Sequence, residues 1–123
     1  MILFSIVLQS LLVAYYLFSG TAKIIGAKYW AEIFAHLGLS QRFRVVTGIV
    51  QLVGAAALIA GYWYGWATAW AGVWLGITML VACLVHLKAR DSFGKTAPAL
   101  VFAALNIIVL SINANELTNI FIF

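Results

Sequence analysis

Hydrophobic positions fall into four long runs separated by short polar stretches, and each run is sized for a membrane crossing. The first extends from Ile2 to Gly20, with Ser5, Gln9, Ser10 and Ser19 as its polar interruptions. As a helix it is roughly 28 Å long, close to a hydrocarbon thickness of about 30 Å. Residues 45–87 carry no Asp, Glu, Lys or Arg. As one helix they would reach roughly 65 Å, about twice what a crossing needs. The break falls at Gly61-Tyr-Trp-Tyr-Gly65, where two glycines bracket three aromatics that favour the headgroup level. This predicts a second spanning helix over about 43–61 and a third over 66–87, joined by a tight hairpin. A fourth run covers 97–112, with Thr96 placed to cap it and Pro98 in its first turn. The tail Ile120-Phe121-Ile122-Phe123 is expected to rest on the bundle or the interface.

Between the first and second spans the pattern changes. Lys28, Glu32 and His36 recur every four residues, while Tyr29, Trp30, Ile33, Phe34 and Leu37 occupy the neighbouring face. That spacing describes an amphipathic helix over about 25–37, lying in the interface plane. Gly38 can end it and Ser40 can cap the next helix. Two roles stand open for this segment: an interfacial connector, or a re-entrant piece of a site. The first run has no basic residue before Lys23 and no small-residue cleavage pattern, so it is expected to be a retained helix rather than a signal peptide.

Composition agrees with this all-α reading and removes the competitors. Of 123 residues, 66% are apolar and 8% charged, against about 45–50% and about 25% in soluble domains. Mean hydropathy is +1.11. So few charges cannot cover a water-facing surface. The net charge of +4 is no nucleic-acid footprint, because the basic residues sit in two short loops. Lys23, Lys28, Arg42 and Arg44 lie between the first and second spans; Lys88, Arg90 and Lys95 lie between the third and fourth. With four crossings both loops share one side. The positive-inside rule then puts them in the cytoplasm and both termini outside, in what is expected to be a bacterial cytoplasmic membrane. The single cysteine, Cys83, excludes an intramolecular disulfide or a CxxC redox pair and reads as a small buried hydrophobe.

Polar groups in hydrocarbon are costly unless paired, so each is a candidate for packing or for binding. The topology brings Lys23, Gln51 and His86 to similar depth in the basic half of the bundle. An ammonium, an amide and an imidazole together suit an oxygen-bearing ligand, with Tyr16 and Trp30, and also Tyr15, as stacking surface. The bland readings are a snorkelling Lys23, an interhelical hydrogen bond at Gln51 and an interfacial His86. Asn106 reads as a packing hydrogen bond, and Gly72-Val-Trp-Leu-Gly76 as a close helix contact within the bundle. No catalytic motif, nucleotide loop or metal-ligand set is present in the sequence; haem ligation by His86 would need an axial partner from elsewhere.

Four segments resemble a known family. Tyr16-Leu-Phe-Ser-Gly-Thr-Ala-Lys23-Ile is similar to the F-x-x-G-x-x-K end of the first helix in DoxX-like membrane proteins. His36-Leu-Gly38-Leu39 resembles the family's approach to its second helix. Gly48-Ile-Val-Gln51-Leu-Val-Gly54-Ala55 resembles its G-x-x-E-x-x-G-A helix, and Met79-Leu-Val-Ala82 with His86 its third. The likeness runs over about residues 10–110. It implies a four-helix integral membrane protein of a family linked to quinone or thiosulfate oxidation, stress responses and membrane redox assemblies. Gln51 departs from the pattern, standing where a glutamate is often found; an amide cannot relay protons but can bond a quinone-like carbonyl.

Three functional classes follow. The leading expectation is an accessory or scaffold subunit of a membrane assembly, with a protein partner or a second copy, and without catalysis of its own. The second is a small-molecule enzyme, or a membrane oxidoreductase subunit binding a quinone or aromatic compound, through Lys23, Gln51 and His86. The third is a small transporter or channel, disfavoured by the absence of a glutamate in the first span and by the one-sided charge.

Overall fold

The computed structural model of the protein describes residues 2–90 and 93–116. The elements run α1 (Ile2–Ile25), α2 (Lys28–His36), α3 (Gln41–Ala60), α4 (Gly65–Lys88) and α5 (Phe93–Ile112), followed by a 3-10 turn at Ala114–Glu116. Four helices are long and apolar enough to cross a membrane: Leu3–Ile25, Gln41–Ala60, Gly65–Lys88 and Gly94–Ile112. They form the expected all-α bundle, with short α2 between the first two crossings. The tail at 120–123 lies outside the described residues.

Two boundaries differ from the sequence reading. The first helix runs on past Gly20 to Ile25, because Lys23, one turn after Ser19, continues its inward stripe and is buried. It stops at Gly26, whose φ of +80° only glycine adopts without strain, and Ala27 N–H closes the cap on the Ala22 carbonyl at 3.0 Å. The fourth crossing begins at Phe93 rather than 97, so Thr96 is a buried interior residue and not a cap. Pro98 is therefore inside the helix, where it forgoes the bond to the Gly94 carbonyl. The extra turn buries Thr96 against the bundle.

The other end signals act as read. Ser40 caps α3, its hydroxyl accepting from Phe43 N–H at 3.0 Å. Gly38, at φ +74°, ends α2, with Leu39 N–H reaching back to the Phe34 carbonyl at 2.9 Å. Residues 61–64 make the α3–α4 turn, with Tyr62, Trp63 and Tyr64 exposed around it.

Packing is dominated by two antiparallel pairs, α1 with α3 and α4 with α5, joined along α3 and α4. Small residues make both pairs close. A Cβ on Gly48 would lie 2.7 Å from the Gly20 carbonyl oxygen, so α1 and α3 meet backbone to backbone there. A Cβ on Gly72 would lie 3.2 Å from the Asn106 carbonyl oxygen, and one on Gly76 would lie 3.8 Å from Asn106 Cβ. The Gly72–Gly76 stripe thus faces α5 inside the bundle. Leu8, Leu12, Tyr16, Ala55, Leu58, Leu75 and Val109 fill the centre. Leu3, Leu11, Phe18, Leu84 and Leu87 point outward as the lipid-facing surface that the bilayer solvates.

A buried lysine–glutamine pair beneath a short helix

Ser19 and Lys23 are one turn apart on the inner stripe of α1, and the Gly20–Gly48 contact brings that stripe against α3. Gln51 faces it from α3, fully buried. Its Oε1 accepts from Lys23 Nζ at 3.0 Å and from Ser19 Oγ at 3.0 Å. Two donors on one oxygen fix the orientation of the amide, leaving Nε2 as a buried donor without a hydrogen-bond partner among the described residues. Lys23, 5% exposed, also sits over the Trp30 ring with Nζ 4.1 Å from its centroid. An ammonium has three N–H donors, and these contacts leave at least one to spend. Among the described residues no carboxylate lies within ion-pair distance of it; Glu32 pairs with Lys28 at 3.9 Å on the outer face of α2.

These groups border a cavity of about 280 Å³. Lys23 and Gln51 form its inner wall. Trp30, Ile33 and Phe34 of α2 and Leu37 just after it line the basic end, and His86 lines it from α4. The segment between the first two crossings is thus a wall of a cavity. Four of the five residues singled out as ligand contacts, Lys23, Trp30, Gln51 and His86, share this space. Tyr16 does not. It lies in the core two turns away along α1, where its hydroxyl accepts from Asn106 Nδ2 at 2.6 Å. Tyr15 stacks on Phe102 of α5, ring centroids 3.8 Å apart, in the same region.

Two contributors carried weaker signals in the sequence. Ser19 is the i−4 neighbour of Lys23, a spacing that marks one helix face. Arg44 looked like a topological charge; instead it donates from Nη1 to the Lys23 carbonyl, from Nε to Gln41 Oε1 at 2.9 Å, while Gln41 Nε2 donates to the Ala31 carbonyl at 3.2 Å. This chain ties the end of α1, the middle of α2 and the start of α3 together around the cavity. A guanidinium on the last carbonyls of a helix also suits the helix dipole. Among the described residues no three His, Cys, Asp or Glu side chains gather as a metal site, and Cys83 is buried in α4.

A cavity-bearing bundle of four spanning helices with a short helix after the first crossing defines the class as a small integral membrane protein. Within that class the model of the DoxX-like family matches residues 7–109, and the chain belongs to this family. An uncharacterized protein, YdgD, of Bacillus subtilis (strain 168) is similar, at 28% identity over 107 residues, which covers 86% of this chain and 94% of that protein. No solved structure matches the chain significantly.

Proposed function

We propose that the protein is a membrane-embedded binding subunit for a small aromatic molecule bearing oxygen acceptors, of the quinone class, held at Lys23 and Gln51. The observation that carries this reading is the buried Lys23–Gln51 pair, with donor capacity left over, on the wall of a cavity whose other lining side chains are apolar and aromatic apart from Thr47, Thr78 and His86. A cavity of about 150 Å³ takes a benzene ring, so about 280 Å³ admits one substituted ring. The Lys23 N–H and Gln51 Nε2 then serve a ring oxygen, and Trp30 supports the ring face. Within this reading the chain acts as the accessory subunit that holds the ligand for a redox partner in the membrane.

Titration of the purified protein with tetramethyl-benzoquinone and with benzoate tests it. Losing a hydrogen bond to a neutral ligand costs about 0.5–1.5 kcal/mol, and one to a charged ligand about 1.5–3 kcal/mol. Lys23→Met is therefore expected to weaken benzoate more than Gln51→Leu does, with the helical fold kept. Wild-type affinity for both compounds in both variants would reject the site.

For orientation we infer a cytoplasmic basic side and external termini in a bacterial cytoplasmic membrane, supported by all seven basic residues falling in two stretches of chain, 23–44 and 88–95, at the same end of the four crossings. In a Cys83→Ser background, an impermeant maleimide added to intact cells should label Asn115→Cys and spare Lys95→Cys; the reverse pattern would invert the topology.

A further inference from the structure

The cavity has an inner end and an outer end of opposite chemistry. Inside are Lys23 and Gln51, at 5% and 0% exposure. At the outer end the lining residues are Val46 of α3 and Ile77 and Val81 of α4, all about half exposed and all on membrane-spanning helices. The two threonines on the lining add no polarity. Thr47 Oγ1 donates to the Phe43 carbonyl at 2.9 Å and Thr78 Oγ1 to the Trp74 carbonyl at 2.8 Å, each within its own helix.

The opening is bounded along the helix axes. Towards the α3–α4 turn the helices are fastened together: Trp74 Nε1 donates to the Val50 carbonyl at 2.9 Å, and Leu75 fills the space beside Gly54. Towards the basic end, Trp30, Ile33 and Phe34 of α2 and Leu37 just after it line the cavity. Phe34 is buried, and its ring lies 6.3 Å from that of Phe43. The gap between α3 and α4 is thus rimmed by apolar side chains of two spanning helices, while α2 lines the basic end together with Phe43 and His86.

We propose that this gap is a lateral portal, and that the natural ligand is a membrane-dissolved amphiphile whose oxygen-bearing ring sits at Lys23 and Gln51 while an alkyl tail leaves between α3 and α4 into the lipid. The proposal rests on the binding reading above and extends it to the class of ligand and its route. A rim of Val46, Ile77 and Val81 solvates an alkyl chain at no polar cost. A water-borne aromatic acid has no tail for this rim to solvate and would enter past α2.

The test uses the full chain in lipid nanodiscs with two probes: tailless tetramethyl-benzoquinone, and a decyl-substituted benzoquinone carrying a diazirine midway along the tail. Photolysis followed by peptide mapping is expected to label α3 and α4 around Val46, Ile77 and Val81, with labelling competed by the tailless quinone. The Ile77→Phe/Val81→Phe variant should lose at least tenfold of this labelling and weaken the decyl quinone more than the tailless one. Val53→Phe, an equally lipid-exposed position outside the cavity lining, should change neither. Labelling of α2 instead, or equal labelling in the plugged variant, would overturn the portal while leaving the site in place. If neither quinone binds the wild-type protein, or if Lys23→Met binds both unchanged, the site itself fails and the portal falls with it.

Discussion

Replacing Gln51 by leucine removes one oxygen on which two buried donors converge, and its cost can be worked from that geometry. Hydrogen bonds between membrane helices average about 0.6 kcal/mol and reach about 1.7 kcal/mol. The Ser19–Gln51 bond is neutral and belongs near the average; the Lys23–Gln51 bond, charged and 3.0 Å long, belongs near the upper end. Gln51→Leu should therefore destabilise the bundle by about 2 kcal/mol, reduced by whatever burying the unpartnered Nε2 costs now. Lys23→Met should cost less than that, because it also removes a buried charge without a carboxylate beside it. Once Lys23 is methionine, Gln51→Leu loses only the serine bond. The double variant should then be less destabilised than the sum of the singles by about 1–2 kcal/mol. Equilibrium unfolding in mixed micelles of increasing sodium dodecyl sulfate fraction, followed by helical circular dichroism, measures all four corners of the cycle. Additivity within about 0.5 kcal/mol would mean that Lys23 and Gln51 are uncoupled, and the site would lose its foundation.

Gly48→Ala should destabilise by about 1–3 kcal/mol in the same assay. Its Cβ meets the Gly20 carbonyl, a backbone atom that cannot rotate away. Gly54→Ala should cost a similar amount, because its Cβ would lie 2.6 Å from Cγ of Leu75, which is fully buried in the core. Glu116 packs on Gly65 at the start of α4, where Tyr64 provides no side-chain cap. Glu116→Gln should therefore lower stability by about 0.3–1 kcal/mol at low ionic strength, with the difference fading at high salt; a melting temperature unchanged at low salt would reject the interaction. Arg90 holds a left-handed φ of 58° after α4, so Arg90→Gly should raise stability by about 0.5–1 kcal/mol, visible as a higher melting temperature.

Much of this arrangement was legible in the chain, for identifiable reasons. Runs of apolar residues must satisfy their backbone within each helix, which fixes the four crossings, and glycines at 61 and 65 around three aromatics mark the turn. Lys23 and Gln51 could be brought together from depth alone, because each stands out as a polar residue in an apolar run. The start of the fourth crossing was hidden: Lys95 reads as loop, although neighbouring Thr96 turns inward and is buried. Tyr16 was misplaced for an axial reason. It shares the inner stripe of α1 with Ser19 and Lys23 but lies seven residues earlier, about 10 Å along the helix, level with Asn106 and not with the cavity. The Arg44 contacts were out of reach, since an arginine in the first turn of a helix carries no sign of which carbonyl it will find.

The two left-handed glycines give α2 a particular independence. Gly26 and Gly38 bracket it, so its ends are set by local backbone geometry. The bundle, by contrast, is registered through Gly20, Gly48 and Gly72, none of which α2 contributes. Residues 28–36 can therefore diverge in sequence, as long as Phe34 and the arginine tie remain, without disturbing how the crossings pack. Trp30 and Ile33 line the cavity from that segment. On the proposed reading, exchanging residues 28–36 would reshape one wall of the cavity and leave Lys23 and Gln51, which serve packing as well as binding, in place on the crossings.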